Sequence, residues 1–100
     1  MKLLRLIDEA RSELIRESSY YEARRLGTGI RFIRAVDDSF ALIRSFPQGG
    51  ASATAGARRT KVKGFPFTVV YREFNEEIVV FAIAPDRRQP GYWIPRVGDT

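Results

Sequence analysis

The 100-residue chain contains no cysteine and no histidine. The absence of cysteine excludes disulfides and thiolate metal ligands. The absence of histidine removes the commonest general base and the commonest metal ligand of proteins. Any acid–base chemistry would therefore need lysine, tyrosine, aspartate, glutamate or an arginine-stabilised transition state. The composition predicts neither a metal site nor a cofactor.

Long apolar runs are also missing, so the sequence predicts no membrane-spanning segment. Residues 1–9 are interrupted by charge at every turn and lack the apolar stretch and small-residue cleavage site of a secretory signal. We therefore expect a cytoplasmic protein. A chain of 100 residues is also of the size of one domain, and we expect residues 1–100 to form a single one.

Charge is the main compositional feature. Lysine and arginine together number 17 against 12 acidic residues, which gives a formal net charge of +5. A basic balance of this size suits an anionic partner, either nucleic acid or an acidic protein. The alternative is a solvated basic surface that has no special partner.

The first half of the chain has helical periodicity. Residues 2–6 suit a short strand or a first helical turn, and an amphipathic helix follows over about residues 8–25, with Glu13 on its polar face. Gly27 ends this helix, and Thr28 is the expected N-cap of a second helix that stops near Phe46, before Pro47. Because the link between the two helices is short, they should form an antiparallel hairpin.

The second half has strand periodicity. Residues 48–57 are small and flexible and predict a mobile surface loop; strands are expected at residues 59–63, 67–71 and 78–83. The order β-α-α-β-β-β predicts an α+β fold in which a helical hairpin packs on one face of a small, mostly antiparallel sheet. The opposite face of that sheet should be partly open.

Basic residues alternate along the first of these strands. Arg59, Lys61 and Lys63 should point to one side of it, directly after Arg58. Three like charges in a row repel one another unless solvent or a bound anion screens them. The pattern therefore indicates either an anion-binding strand or an edge strand that lysines protect from aggregation.

A second basic cluster follows the last strand. Arg87 and Arg88 can bind phosphate or carboxylate through paired N–H groups. Tyr92 and Trp93 come after a Pro90–Gly91 turn and suit base stacking or a protein interface. In the alternative reading, Trp93 packs on the core and the arginines form salt bridges. We expect the working surface to join residues 58–63 with residues 87–93.

These residues together resemble the RelE/ParE superfamily of bacterial type II toxin–antitoxin toxins, and more closely its ParE-like branch. The resemblance extends over nearly the whole chain, and the Pro-Gly-Tyr-Trp run is its most telling mark. The other marks are Ala10, Glu13-Leu14, Tyr20-Tyr21-Glu22, Gly27, Gly29, Phe32, Val36, Ile43, Phe46-Pro47, residues 58–63, Phe65-Pro66-Phe67, residues 69–72, Ala82-Ile83-Ala84 and Arg87-Arg88.

The resemblance implies the same β-α-α-β-β-β fold and a growth-inhibiting toxin. It also implies a small antitoxin as partner, which wraps the toxin with an extended segment that folds on binding. Toxin and antitoxin can then form a hetero-oligomer. Genes of such pairs normally lie side by side.

One branch of the superfamily cleaves mRNA on the ribosome without a metal. That resemblance would make Lys61, Lys63, Arg87 and Tyr92 the catalytic set, which activates the ribose hydroxyl and stabilises charge on the phosphate. This sequence departs from the branch at Thr68, where the branch carries an arginine.

The other branch binds DNA gyrase and needs no catalytic residues. Pro85 stands where many of its members have histidine. The resemblance would then make the basic and aromatic residues a surface for the target or for nucleic acid, namely Arg58, Arg59, Arg72, Arg88 and Trp93. A third possibility is a non-toxic relative that only binds its antitoxin.

Overall fold

The computed structural model describes residues 1–98. In chain order the elements are β1 (Leu3–Leu6), α1 (Asp8–Arg24), α2 (Thr28–Ser45), β2 (Ala51–Ser52), β3 (Arg58–Lys61), β4 (Phe67–Glu73), β5 (Glu77–Pro85) and α3 (Ile94–Val97), with one 3-10 turn at Thr54–Gly56. The predicted α+β class is confirmed. None of the helices within residues 1–98 is long and apolar enough to cross a membrane.

The two long helices form the predicted hairpin, but Thr28 is not the N-cap of α2. Gly27 occupies that position in the left-handed conformation, with φ of 88°. The Glu22 carboxylate on α1 caps α2 instead, because it accepts the N–H groups of Gly27 and Gly29 at 3.0 Å. A negative charge at this end also complements the helix dipole.

A mixed sheet lies beneath the hairpin, in the order β1-β5-β4-β3-β2. The pairing of β1 with β5 is parallel and the other three pairings are antiparallel. A bulge interrupts the β4–β5 ladder, since Val70 pairs with Ala82 while Tyr71 pairs with Val80. Phe81 is therefore the extra residue, and it faces the same side of the sheet as Ala82.

Packed side chains lie on both faces of the sheet, and on the face opposite the hairpin they leave part of the surface open, as the sequence predicts. One core lies between the sheet and the hairpin and includes Phe32, Val69 and Tyr71. The second core lies on the opposite face, where Trp93 and Val97 pack against β4 and β5. The buried position of Trp93, which is 7% exposed, confirms the alternative in which this ring packs on the core.

The segment predicted as a loop over residues 48–57 contains the edge strand β2 and the 3-10 turn. It is tied to the sheet by the Tyr71 hydroxyl, which donates to the Pro47 carbonyl at 2.9 Å and accepts the Gly50 N–H at 3.2 Å. The strand β2 could not be recognised from the sequence, because its small residues show no alternation of apolar and polar side chains. The contact also requires a glycine there, since an added Cβ would lie 2.5 Å from the Tyr71 hydroxyl.

Candidate functional site

A groove of about 620 Å³ lies on the sheet face opposite the hairpin. Its floor is formed by residues of β3, β4 and β5, and its far wall by the segment that follows β5. The basic residues that line it are Arg59 and Arg88, and Tyr92 and Trp93 complete the wall. Of the two clusters that the sequence predicted as one surface, residues 58–63 contribute only Arg59 to this groove, whereas residues 88–93 all line it.

A buried glutamate holds the wall of this groove in place. Glu13 is 2% exposed, so its assignment to the polar face of α1 is wrong. One carboxylate oxygen accepts the backbone N–H of Ile83 at 3.0 Å, and the other accepts the Tyr92 hydroxyl at 2.8 Å. The pairing of β1 with β5 ends at Val80, so the backbone N–H of Ile83 has no partner on β1. The Glu13 carboxylate accepts that N–H instead and satisfies the edge of β5 beyond β1.

Arg96 completes the same network from α3. Its guanidinium lies 3.0 Å from the second Glu13 oxygen and donates to the Phe81 carbonyl at 3.0 Å. The Arg88 guanidinium stacks on the Tyr92 ring, with its carbon 3.7 Å from the ring centroid. A buried carboxylate is stable when it is paired and hydrogen-bonded, and Glu13 has both kinds of partner.

The Tyr92 hydroxyl therefore donates an internal hydrogen bond to Glu13. Burial, followed by the hydrogen bond to Glu13 and the charge of that carboxylate, raises the pKa of the Tyr92 phenol above its ordinary value. A tyrosine acts as a general base only after it loses its proton, and this environment opposes the loss.

Lys61 is also engaged internally. Its ammonium group forms an ion pair with Asp86, whose other oxygen accepts the Thr68 hydroxyl at 2.9 Å. Partial burial raises the pKa of Asp86, but the hydrogen bonds from Lys61 and Thr68 outweigh it and leave that pKa below its ordinary value. Asp86 therefore stays ionised at neutral pH and offsets the charge of Lys61.

The remaining predicted residues do not gather in one place. Lys63 follows the end of β3 and lies exposed in the turn before β4, so its expected alternation with Lys61 on one strand is wrong. Arg58 holds the loop by donating to the Gly50 carbonyl at 2.9 Å. Arg72 lies over the Phe74 ring, 5.0 Å from its centroid.

Arg87 points away from the sheet-face groove. It lines a second groove, on the hairpin side of the sheet, together with Arg16, Arg24, Arg25 and Arg31. Pro85, Asp86 and Arg88 line both grooves, so the turn after β5 separates them. The four residues of the predicted catalytic set thus lie at different places, with Tyr92 in the first groove and Arg87 in the second.

Glu13 is the residue that sequence reasoning missed at this site. A glutamate among Glu9, Arg16 and Glu17 fits the polar face of an amphipathic helix, and its partners lie at least 70 residues further along the chain. Within residues 1–98 there is no group of three or more acidic, cysteine or histidine residues able to hold a metal ion.

Comparison with protein families gives a match over residues 4–90, to the family described as the ParE toxin of the type II toxin–antitoxin system parDE. The chain belongs to the ParE toxin family. The match spans most of the fold but ends before Tyr92 and Trp93, which line the wall of the sheet-face groove in this ParE toxin, and before Arg96, which contacts Glu13 behind it. A comparison with curated protein sequences returned no match.

A solved structure from the chromosomal ParDE toxin–antitoxin system of P. aeruginosa is similar to this ParE toxin in fold. The TM-score is 0.74 at 18% sequence identity, and the alignment covers 85% of this chain and 96% of that chain. At this level of identity the likeness shows the fold, and it agrees with the helical hairpin packed over a sheet.

Proposed function

We propose that this ParE toxin inhibits growth by binding DNA gyrase through its sheet-face groove, and that a cognate antitoxin neutralises it by covering the basic surface. The observation that carries the proposal is that the groups suited to proton transfer have internal partners, whereas arginines line the groove. Arg59 presents its charge to the groove, and the Arg88 guanidinium lies at the groove wall, stacked on Tyr92 and 3.9 Å from a Glu13 carboxylate oxygen. The groups suited to proton transfer, the Lys61 ammonium and the Tyr92 hydroxyl, are engaged with Asp86 and Glu13. Such a surface is better suited to recognition of an anionic target than to chemistry.

Supercoiling and DNA-cleavage assays with purified gyrase test the proposal. The chain should block supercoiling and stabilise cleaved DNA, and Arg59→Ala and Arg88→Ala should each weaken inhibition about tenfold or more, as expected for interface arginines. Arg44→Ala is the matched control, because Arg44 is exposed at the end of α2 and lines neither groove. Full supercoiling activity and no stabilised cleavage at micromolar protein would count against gyrase as the target.

The alternative is a ribosome-dependent, metal-independent endoribonuclease of the RelE type. Two members of the predicted catalytic set favour this alternative. Tyr92 lines the sheet-face groove, and Lys61 is paired with Asp86, which lines the same groove. Toxicity that disappears in Lys61→Ala and Arg87→Ala, together with mRNA cleavage in the ribosomal A site, would support this alternative. Normal growth on expression of the chain alone would point instead to a non-toxic relative that only binds its antitoxin.

The antitoxin is tested by co-expression with the adjacent reading frame. Growth should recover, and the purified pair should behave as a hetero-oligomer in light scattering. An adjacent product that neither restores growth nor co-purifies with the chain would contradict this part of the proposal.

A further inference from the structure

The second groove, on the hairpin side of the sheet, is rich in arginine. Its volume is about 920 Å³, and it lies among the end of α1, the start of α2 and the turn after β5. Six arginines line it against two carboxylates, Glu17 and Asp86. The arginines are Arg16, Arg24, Arg25, Arg31, Arg87 and Arg88.

In the part of the chain that the structure describes, neither carboxylate of the groove forms a salt bridge with Arg24, Arg25, Arg31 or Arg87. Asp86 is paired with Lys61, which lies outside the groove, and Glu17 lies 3.9 Å from Arg16. Among residues 1–98, Arg25, Arg31 and Arg87 have no salt bridge and no side-chain hydrogen bond. Unpaired cations gathered in a concave surface focus a positive potential and attract a polyanion.

Tyrosine rings occur beside these cations. Tyr20 is 49% exposed, and the Arg24 guanidinium lies 5.3 Å from its ring centroid. Tyr21 is held edge-on by Phe65 and Phe67, with ring centroids 5.2 Å and 6.2 Å away. The Tyr20 ring contacts that of Tyr21 edge-on, with centroids 5.7 Å apart, and about half of the surface of Tyr20 remains accessible.

We propose that this hairpin-side groove binds a single strand of nucleic acid, with its phosphates on the arginines and a base stacked on Tyr20. Groove-lining cations that track a backbone, together with aromatic rings that stack bases, are the two parts of sequence-independent single-strand binding. Arginine suits the role because its planar fork binds phosphate bidentately and stacks on rings.

An acidic protein segment fits the groove less well. Protein interfaces concentrate their binding energy in apolar pockets filled by a partner's side chain. Here the apolar residues are already packed, since Phe67 is 4% exposed and the Tyr21 ring lies against three phenylalanines. The groove surface keeps its six arginines and the half-exposed Tyr20 ring.

Fluorescence anisotropy with the full chain and labelled oligonucleotides of about 12 nucleotides tests the proposal. Single-stranded DNA and RNA are measured separately, each between about 50 and 200 mM salt, and a polyglutamate peptide of equal charge is the competing ligand. The affinity for a single strand should fall steeply with salt, with a log–log slope of roughly −0.7 for each phosphate neutralised.

Three substitutions locate the binding to this groove. Arg24→Gln and Arg31→Gln should each weaken binding several-fold and reduce the steepness of the salt slope by about 0.7. Tyr20→Leu should weaken binding about tenfold, whereas Tyr20→Phe should retain it because the ring remains. Arg44→Gln removes an equal charge from a surface outside the groove and should change binding little; circular dichroism confirms that each variant is folded.

Three results would overturn the proposal. They are the absence of salt-dependent binding to either oligonucleotide, equal losses for Arg44→Gln and Arg24→Gln, and tighter binding of polyglutamate that depends on Arg24 and Arg31. The last would identify an acidic protein segment as the occupant. None of these results depends on gyrase, so the outcome is independent of the proposed target.

Discussion

The carboxylate of Glu13 accepts the hydroxyl of Tyr92 at 2.8 Å, across 79 residues of the chain. The same carboxylate contacts the Arg96 guanidinium and the backbone N–H of Ile83 on β5. One side chain on α1 therefore positions the segment after β5, which forms the wall of the sheet-face groove. This relationship makes the groove sensitive to a residue that does not line it.

Glu13→Ala should lower the free energy of unfolding by about 3 kcal/mol or more, because it leaves the Arg96 charge, the Tyr92 hydroxyl and the Ile83 N–H without their partner. Urea denaturation measures the loss. Trp93 is the single tryptophan of the chain, so its emission also reports whether the C-terminal segment detaches from the second core.

Glu9→Ala is the matched control for this substitution, since Glu9 is an exposed glutamate on the same helix. It should change stability by less than about 1 kcal/mol. Equal effects of the two substitutions would show that Glu13 has no special structural role.

Tyr92→Phe should remove a pH-dependent part of the stability. The pKa of Tyr92 in the folded state is raised above its ordinary value of 10.0. The contribution of its proton is therefore fully present below pH 10.0 and is lost as the pH rises toward the folded-state pKa. The difference in unfolding free energy between the parent and Tyr92→Phe should shrink through this range.

Tyr20→Phe provides the comparison for that titration, because the Tyr20 ring is exposed and no hydrogen bond holds its hydroxyl within residues 1–98. A stability difference for Tyr92→Phe that stays constant from about pH 8 to about pH 12 would contradict the hydrogen bond to Glu13.

Asp86→Asn should make the free energy of unfolding depend less on pH in the acid range. The pKa of Asp86 is lowered in the folded state, so its contribution is present above the ordinary value of 3.8 and is lost as the pH falls through the folded-state pKa. The Asp86 and Lys61 side chains are 36% and 62% exposed, so the effect should remain below about 1 kcal/mol.

Thermal midpoints at neutral pH and near pH 2 measure this change. Asp37→Asn, at an exposed position of α2, should leave the acid dependence as it is in the parent. An identical acid profile for the parent and Asp86→Asn would rule out the Lys61–Asp86–Thr68 contact in solution.

Gly29→Ala should loosen the helical hairpin. An added Cβ would lie 2.7 Å from the Ser18 carbonyl and 2.9 Å from the Glu22 Cβ, so α2 would have to move away from α1. We expect a loss of about 1 to 3 kcal/mol, although alanine is the better helix former. Gly98→Ala, where the nearest atom is 3.9 Å away, is the control, and thermal unfolding compares the two.

The sequence predicts the two long helices and the strands β4 and β5 well because their apolar residues repeat with the period of each element, and it predicts β3 from its alternating polar residues. Phe32, Val36 and Ile43, for example, are buried as their spacing on α2 predicts. The strand Ala51–Ser52 could not be predicted, because its pairing depends on Tyr71 and Arg58 rather than on its own side chains.

The functional surface could be predicted in outline and not in detail. Arg59 and residues 88–93 line one groove, but Lys61, Lys63 and Arg87 do not, and the role of Glu13 is invisible in the sequence. A buried carboxylate differs from a solvated one only through its partners, and Tyr92 and Arg96 are brought to it by the folded sheet. The hairpin-side groove was missed for the same reason, because α1, α2 and the turn after β5 contribute its arginines separately.

The parallel pairing of Leu3 with Glu77 joins the first strand of the structure to its last. As the chain leaves the ribosome, α1 and α2 can form early, but β1 has no neighbour in the sheet until β5 has been made. The Glu13 network needs still later residues, Tyr92 and Arg96. The wall of the sheet-face groove is therefore fixed only after residue 96 has been synthesised, so a nascent chain that stops earlier carries the helical hairpin without the complete surface.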